Sequence, residues 1–358
     1  MQAQAQAGAK SATRTADDRE MRVTWQSGRW MTRRRDLFGL VVLNAVGSSL
    51  AQPKPPPPGR RRLGVLLLKR RDKNVDDLER ELRSALAELG WIVDRNLTIE
   101  WHFADDDRSR LPALAAQVVR SAPDAILTFL VPPTQALQRA TTTIPIVTGL
   151  GDPLAFGVAR SYARPGGNIT GLSYGWVELQ HKRIELLRSA APSATRLIIA
   201  MNARDAEIAQ GVAGSTMDAA RRFGFVPEVA LLSSAADLQA PLRSNAASAM
   251  ITYGFNVTSS PIKPSEIIAV SLGKRVPTVV EDSETVALGG LMSYELYWDD
   301  HTRRIAAQLD KVLRGVSPAE IPFELPTRSW MAVNLKTARA IGVVLAPSLL
   351  ARADEVIG

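Results

Sequence analysis

Leu63-Gly64-Val65-Leu66-Leu67-Leu68 and the segment after it, Asp76 to Gly90, decide the fold of this chain. An unbroken apolar run of this length marks a strand buried on both faces. Leu78, Leu82, Ala85, Leu86 and Leu89 then recur at helical spacing, and Gly90 supplies the stop. Outward from this pair the alternation continues. Strands are expected at Asn96–Phe103, Ala125–Leu130 and Ile144–Thr148, with helices at Arg110–Arg120 and Pro133–Thr142. A second round follows, with helices at Val177–Ala190, Ala206–Phe223, Ala236–Asn245 and Ser265–Gly273. Its strands fall at Arg196–Met201, Val226–Leu232, Ala249–Tyr253 and Val276–Val280. Two successive rounds of buried strand and helix predict an α/β protein with two doubly wound parallel-sheet lobes. Arg164-Pro165-Gly166-Gly167-Asn168 lies just before the chain changes lobe. Such sheets hold ligands at the carboxyl ends of their strands, so the expected site is the cleft between the lobes.

The whole chain has 358 residues and a formal net charge of +8. That charge is local: residues 1–62 hold 12 Lys/Arg against 4 Asp/Glu, and the remainder holds 32 of each. A body with no basic excess does not present a nucleic-acid surface. The absence of Cys excludes disulfides, thiolate catalysis and cysteine-based metal sites. Three dispersed His (His102, His181, His301) do not form a metal centre, and no metal or cofactor is expected.

The basic excess belongs to a leader. Thr32-Arg33-Arg34-Arg35-Asp36-Leu37-Phe38 opens an apolar stretch ending at Leu50, and Ser49-Leu50-Ala51 gives a small-x-small end. A charged head, a short apolar run and such an end predict an export signal over residues 1–51, of twin-arginine type, with the true start near Met31. The apolar stretch is shorter than the roughly 20 residues a bilayer span needs, so no membrane span is expected after cleavage. Residues 52–61, with Pro53 and Pro55 to Pro58, read as an extended Pro-rich spacer.

There is no phosphate-binding Gly-x-x-x-x-Gly-Lys-Ser/Thr loop, and no His stands beside a plausible nucleophile. Lys69-Arg70-Arg71-Asp72, not a Gly-rich turn, follows the first strand. Asp105-Asp106-Asp107 reads as a helix-capping turn, not a metal site. The strand ends instead offer Thr134, Asp152, Ser173, Tyr174, Asn202, Tyr253, Asn256, Asp282 and Tyr294. Hydrogen-bonding tips with aromatic walls suit recognition of a small molecule. The rival is an exported hydrolase-type enzyme using Asp152 with Glu281 or Asp282 as acid and base. A periplasmic ligand sensor shares the same fold.

Longer motifs carry a resemblance. Thr141-Thr142-Thr143-Ile144-Pro145-Ile146-Val147 leads to Gly151-Asp152-Pro153, and Arg164-Pro165-Gly166-Gly167-Asn168-Ile169-Thr170-Gly171 follows. Gly289-Gly290-Leu291-Met292-Ser293-Tyr294, Asn334-Leu335-Lys336-Thr337-Ala338 and Pro347-Ser348-Leu349-Leu350-Ala351-Arg352 come later. With the arginine-headed leader, these resemble the ABC-transporter substrate-binding proteins that include the tryptophan-binding TrpX type. The resemblance implies a type I periplasmic-binding-protein fold, three crossovers, and a solute trapped by hinge closure. It also implies permease and ATPase partners and a periplasmic location. Mapped onto this chain, lobe 1 spans 62–171 plus 284–326 and lobe 2 spans 172–283 plus 327–358. Two departures stand out: Glu281-Asp282 is more acidic than the family pattern, and Lys69-Arg70-Arg71 is more basic. Both point away from an aromatic amino acid and towards a polar or anionic solute.

Overall fold

The computed structural model describes residues 59–203, 206–242, 248–254, 262–297 and 300–358, with the side chains of 206–211 and 297 left out. The leader, residues 52–58 of the spacer, and Asn256 lie outside the described residues.

The first lobe alternates β1 (Arg61–Leu67), α1 (Lys73–Glu88), β2 (Leu97–Phe103), α2 (Leu111–Arg120), β3 (Ala125–Phe129), α3 (Val131–Ala140), β4 (Ile146–Leu150) and β5 (Ile169–Ser173). Its sheet has the order β2-β1-β3-β4-β5 and is parallel throughout. Central placement of β1 is why its side chains are apolar on both faces. The second lobe contains α4 (Trp176–Ala190), β6 (Arg196–Asn202), α5 (Ala206–Arg222), β7 (Val226–Leu232), β8 (Ser248–Tyr253), α6 (Pro264–Gly273), β9 (Thr278–Val280), α7 (Ser283–Ala287) and β10 (Met292–Tyr297). The chain then returns to the first lobe as α8 (His301–Leu313). It finishes in the second with β11 (Arg328–Asn334), α9 (Leu335–Ile341), α10 (Pro347–Leu350) and β12 (Glu355–Ile357). The second sheet runs β12-β11-β10-β9-β8-β6-β7, parallel except where β11 meets β10. That one antiparallel pairing exists because β10 carries the chain out of the lobe and β11 brings it back.

The two-lobed α/β architecture agrees with the sequence reading, and three details correct it. The return to the first lobe was expected at 284, yet α7 and β10 pack on the second sheet and the crossover comes after Tyr297. β5 belongs wholly to the first sheet, so the first crossover begins after Ser173 and not at 172. In place of the helix expected at Ala236–Asn245 there is a 3-10 turn at Ala235–Gln239, held by a reciprocal Ser234/Asp237 capping box.

Three segments therefore link the lobes: Ser173 to Trp176, Tyr297 to His301, and Glu324 to Arg328. They meet at Gly175, which takes a left-handed φ of 58°. A Cβ there would lie 2.8 Å from Leu296 Cδ1, near the end of β10, and 3.6 Å from Leu325 Cδ2, in the third segment. Glycine satisfies both the backbone and the space.

Helix α8 is anchored in the first lobe. Leu82, Leu86 and Trp91 share a buried cluster with Ile305, Ala306 and Leu309, where a Leu-to-Ala change costs about 2–5 kcal/mol. The Trp91 indole N–H donates to Asp310 Oδ1 at 2.8 Å, and Arg314, lying over the ring, donates to the same oxygen at 2.6 Å.

Candidate functional site

An aromatic contact joins the end of β8 in the second lobe to the residues that follow β4 in the first. Trp176 opens α4 immediately after the first crossover. Its indole lies against the backbone of Gly151, where a Cβ would meet ring carbons at 1.9–2.4 Å. Only glycine permits that approach. Trp176 meets Tyr253 edge-on at 5.4 Å, from the end of β8, and Phe156 edge-on at 6.2 Å, from the first lobe. Edge-to-face rings at such distances add about 0.5–1.5 kcal/mol per pair beyond their burial. Neither Trp176 nor Phe156 was among the sequence candidates.

Several candidates turn out to hold the backbone around this cluster. Asp152 is buried, and its Oδ1 accepts the N–H groups of Leu154 at 2.8 Å and Ala155 at 3.0 Å. Ser173 donates to the Gly151 carbonyl at 3.0 Å and accepts from Gly175 N–H at 3.1 Å. Thr134 does not line the cleft wall. It is fully buried in the first lobe, donating to the Leu130 carbonyl at 2.6 Å and sharing a 2.8 Å bond with the Thr148 hydroxyl. Asp152 thus caps the turn at Leu154 and Ala155 through one carboxylate oxygen.

Tyr174 continues the first crossover, and its hydroxyl meets His301 Nε2 at 3.1 Å. Burial pushes its phenol up and holds the His301 imidazole down at about 4. Asn202, buried at the end of β6, donates to the Gly254 carbonyl at 3.3 Å and ties two strand ends together.

A second cluster occupies the end of β9 and β10. Asp282 caps α7 by accepting from Thr285 N–H at 2.7 Å. The carbonyl of Tyr294 accepts from Arg183 Nε at 2.8 Å, and that of Glu281 from Arg183 Nη2 at 2.8 Å. Arg183 is only 5% exposed, and burial lowers its pKa against the pull of Glu281, Glu295 and Asp282. Glu295 accepts from Ser283 N–H at 3.1 Å; burial first, and Asp282 second, raise it to about 7. Arg183 was legible in outline: it falls at helical spacing from Leu179, Leu186 and Leu187, on the buried face of α4. Glu295 was not, because only strand pairing brings it beside Asp282.

The basic loop after β1 is matched by acids. Arg70 Nε pairs with Asp106 at 2.9 Å, and Arg71 bonds to Asp76 and Glu79 at 2.9 Å each. These partners remove the reason for expecting an anionic solute there. Asp107 caps the turn at Arg108–Arg110 and Asp105 pairs with Arg110, as a capping segment should. Among the described residues no group of His, Asp and Glu is placed to hold a metal ion. No helix among them is long and apolar enough to cross a membrane.

A family profile described as ABC transporter substrate binding protein matches residues 72–357, and the chain belongs to that family. A tyrosine-binding protein of Clostridioides difficile (strain R20291) is 23% identical over 273 residues, covering 75% of this chain and 77% of that protein. Among solved structures, an ABC domain of Streptococcus pneumonia in complex with L-Trp superposes with a TM-score of 0.68 at 21% identity. It covers 84% of this chain and 100% of its own. The ligand-free, open form of a Clostridium difficile substrate-binding protein with adhesive properties gives 0.62 at 20% identity, covering 83% of this chain and 99% of its own. At these identities the structural likeness establishes the two-lobed fold.

Proposed function

We propose that this chain is the solute-binding component of an ABC-type uptake transporter. It is exported to the periplasm by residues 1–51 and passes an amino acid or similar small solute to permease and ATPase subunits. The observation that carries this reading is the Trp176 contact, which brings Phe156 of one lobe and Tyr253 of the other to the same ring. A solute entering beside that cluster touches both lobes at once. Contacts completed only when the lobes close shift the population from open to closed, with no bond made or broken. Amino acids are the first class to test, because related proteins are named for tyrosine or were solved with L-Trp. Asp152, Asn202, Tyr253, Asp282 and Tyr294 stand at the strand ends that frame the site, some through side chains that shape it and some through direct contact.

Calorimetry of the purified protein against the amino acids and a set of neutral sugars tests the reading. At least one amino acid should bind with a Kd of about 1 μM or tighter. Small-angle scattering should show the radius of gyration falling as it binds. Absence of binding by any amino acid, or chemical conversion of the bound solute, would overturn the proposal. Fractionation of cells tests the export step separately: the protein should appear in the periplasm, and substituting Arg34 and Arg35 by Lys should retain it inside.

A further inference from the structure

The two sheets end in β2 and β5 in the first lobe and in β7 and β12 in the second. An edge strand offers unpaired N–H and C=O groups to any other strand, and natural proteins blunt such edges. β5 is covered by the third crossover, where Ser173 N–H donates to the Glu324 carbonyl and Glu324 N–H to that of Gly171. β12 has only 3 residues. β7 carries Pro227, and because Val226 N–H donates inward to the Thr195 carbonyl, the missing donor lies on the open side. β2 has none of these devices. It runs for 7 residues, Leu97–Phe103, without Pro or a break in register, and every residue after Leu97 is half-buried. The parity of its hydrogen bonds decides what it offers. Arg61 N–H donates to the Asn96 carbonyl and Ala104 N–H to that of Leu67, so the even-numbered residues face β1. The main-chain groups of Ile99, Trp101 and Phe103 therefore point outward, and they have no partner among the described residues. Leu97 is already closed off by the preceding turn, its carbonyl accepting from Asp94 N–H at 2.9 Å.

We propose that β2 is the interface of a two-fold homodimer, pairing antiparallel with β2 of a second copy about an axis at Trp101. In that register Trp101 meets its own equivalent and Ile99 meets Phe103, so every outward donor and acceptor of the stretch is used. Ile99, Trp101 and Phe103 share the face that packs on the core cluster of Leu82 and Leu86, and the Trp101 and Phe103 rings lie parallel at 6.2 Å. Pairing continues that apolar stripe into the second copy. On the opposite face each Glu100, fixed by Arg62 at 2.7 Å, stands across from the second copy's His102, a charge-complementary cross-strand pair. The neighbouring registers are worse. One sets Glu100 against Glu100 and leaves Phe103 unmatched; the other sets His102 against His102 and leaves Ile99 unmatched. A two-fold contact of this kind closes on itself, giving a dimer and no fibre. The chain ahead of β1 is no rival occupant, since Pro53 and Pro55 to Pro58 lack the donors a paired strand needs. The third crossover lies at β5, the far edge of the same sheet, so pairing at β2 leaves the hinge free to close.

Sedimentation velocity of the purified protein over about 5–200 μM tests the pairing. Wild type should pass from monomer to dimer with a Kd of about 1–100 μM, the range of a small interface. I99P removes one outward N–H and no bond to β1, and should raise that Kd about tenfold or more. W101K sets like charges against each other at the axis and should do the same, so the test stands if one variant does not fold. The chain has no Cys, which permits a readout of register. Oxidation of E100C/H102C should link two copies covalently, because those positions face each other across the interface. E100C alone should not link, since its two equivalents are offset beyond the reach of a disulfide. A protein that stays monomeric throughout, a dimer that both I99P and W101K leave intact, or equal linking by E100C alone would overturn the proposal. None of these outcomes bears on solute binding, which calorimetry reads separately.

Discussion

The hydroxyl of Tyr174 lies 3.1 Å from Nε2 of His301, and the two rings stack at 5.8 Å. Tyr174 is where the chain leaves the first sheet, and His301 is where it re-enters that lobe as the first residue of α8. Phe129, at the end of β3, also meets the imidazole, its ring tilted and 5.8 Å away between centroids. The pair thus ties two crossovers at the first-lobe side of the hinge, with Gly175 beside it as the point that can turn. Closure of the lobes should pivot about this contact and not break it.

A consequence is an acid-sensitive hinge. Burial holds His301 neutral in the folded protein with a pKa of about 4, below the ordinary 6.5. A base depressed in this way contributes stability that is complete above 6.5 and is lost as pH falls towards 4. Thermal melts should show the Tm of the wild type dropping across that window. His301→Gln, which keeps a hydrogen-bonding group for Tyr174 but does not titrate, should flatten the drop.

Gly151→Ala tests the close approach of Trp176. The added methyl would occupy space already filled by the indole, so the ring or the β4 turn must move, at a cost of about 1–3 kcal/mol in urea unfolding. In a Trp176→Leu background the same change should cost much less. That non-additivity is the signature of a direct steric contact and not of a general loss in β4.

Arg183→Met should be among the most damaging single changes in the second lobe. It removes the donors to the Tyr294 and Glu281 carbonyls and the only guanidinium facing the acidic edge from α4. Leaving buried carbonyls without their donors costs about 1–3 kcal/mol each. Arg183→Lys should recover part of the loss in denaturant titrations, since it keeps the charge but cannot reach both carbonyls with a planar fork.

Much of the architecture was legible because burial writes itself into composition. β1, β3, β4, β6 and β8 are covered on both faces and read as apolar runs, and helices between them show their inward stripe. The place where the chain returns to the first lobe was not legible. Gly289 to Tyr294 announces a strand, but which sheet it joins depends on the pairing of Met292 with Val279, which no local pattern encodes. The site was read with the same asymmetry. Asp152, Ser173 and Thr134 are polar residues at strand ends and invite a ligand role, yet their oxygens serve nearby backbone groups, the commonest employment of short polar side chains in turns. Trp176 and Glu295 matter through partners far along the chain, Gly151, Phe156 and Tyr253 for one and Asp282 for the other.

Glu295 sets the opposite pH limit to His301. Burial is the larger influence on its carboxyl and Asp282 the next, and together they outweigh the Ser283 N–H, lifting the pKa from 4.5 to about 7. A raised acid contributes stability that is fully present below 4.5 and is lost as pH climbs through 7, because the folded state must then hold a charge beside Asp282. Glu295→Gln keeps the shape, accepts the same Ser283 bond and cannot ionise. Its Tm should therefore match the wild type near pH 5 and exceed it at pH 8, where the wild-type carboxylate is charged. A wild-type protein whose stability is unchanged between pH 5 and 8, with no gain in the variant, would show that Glu295 is solvated well enough to ionise at no cost.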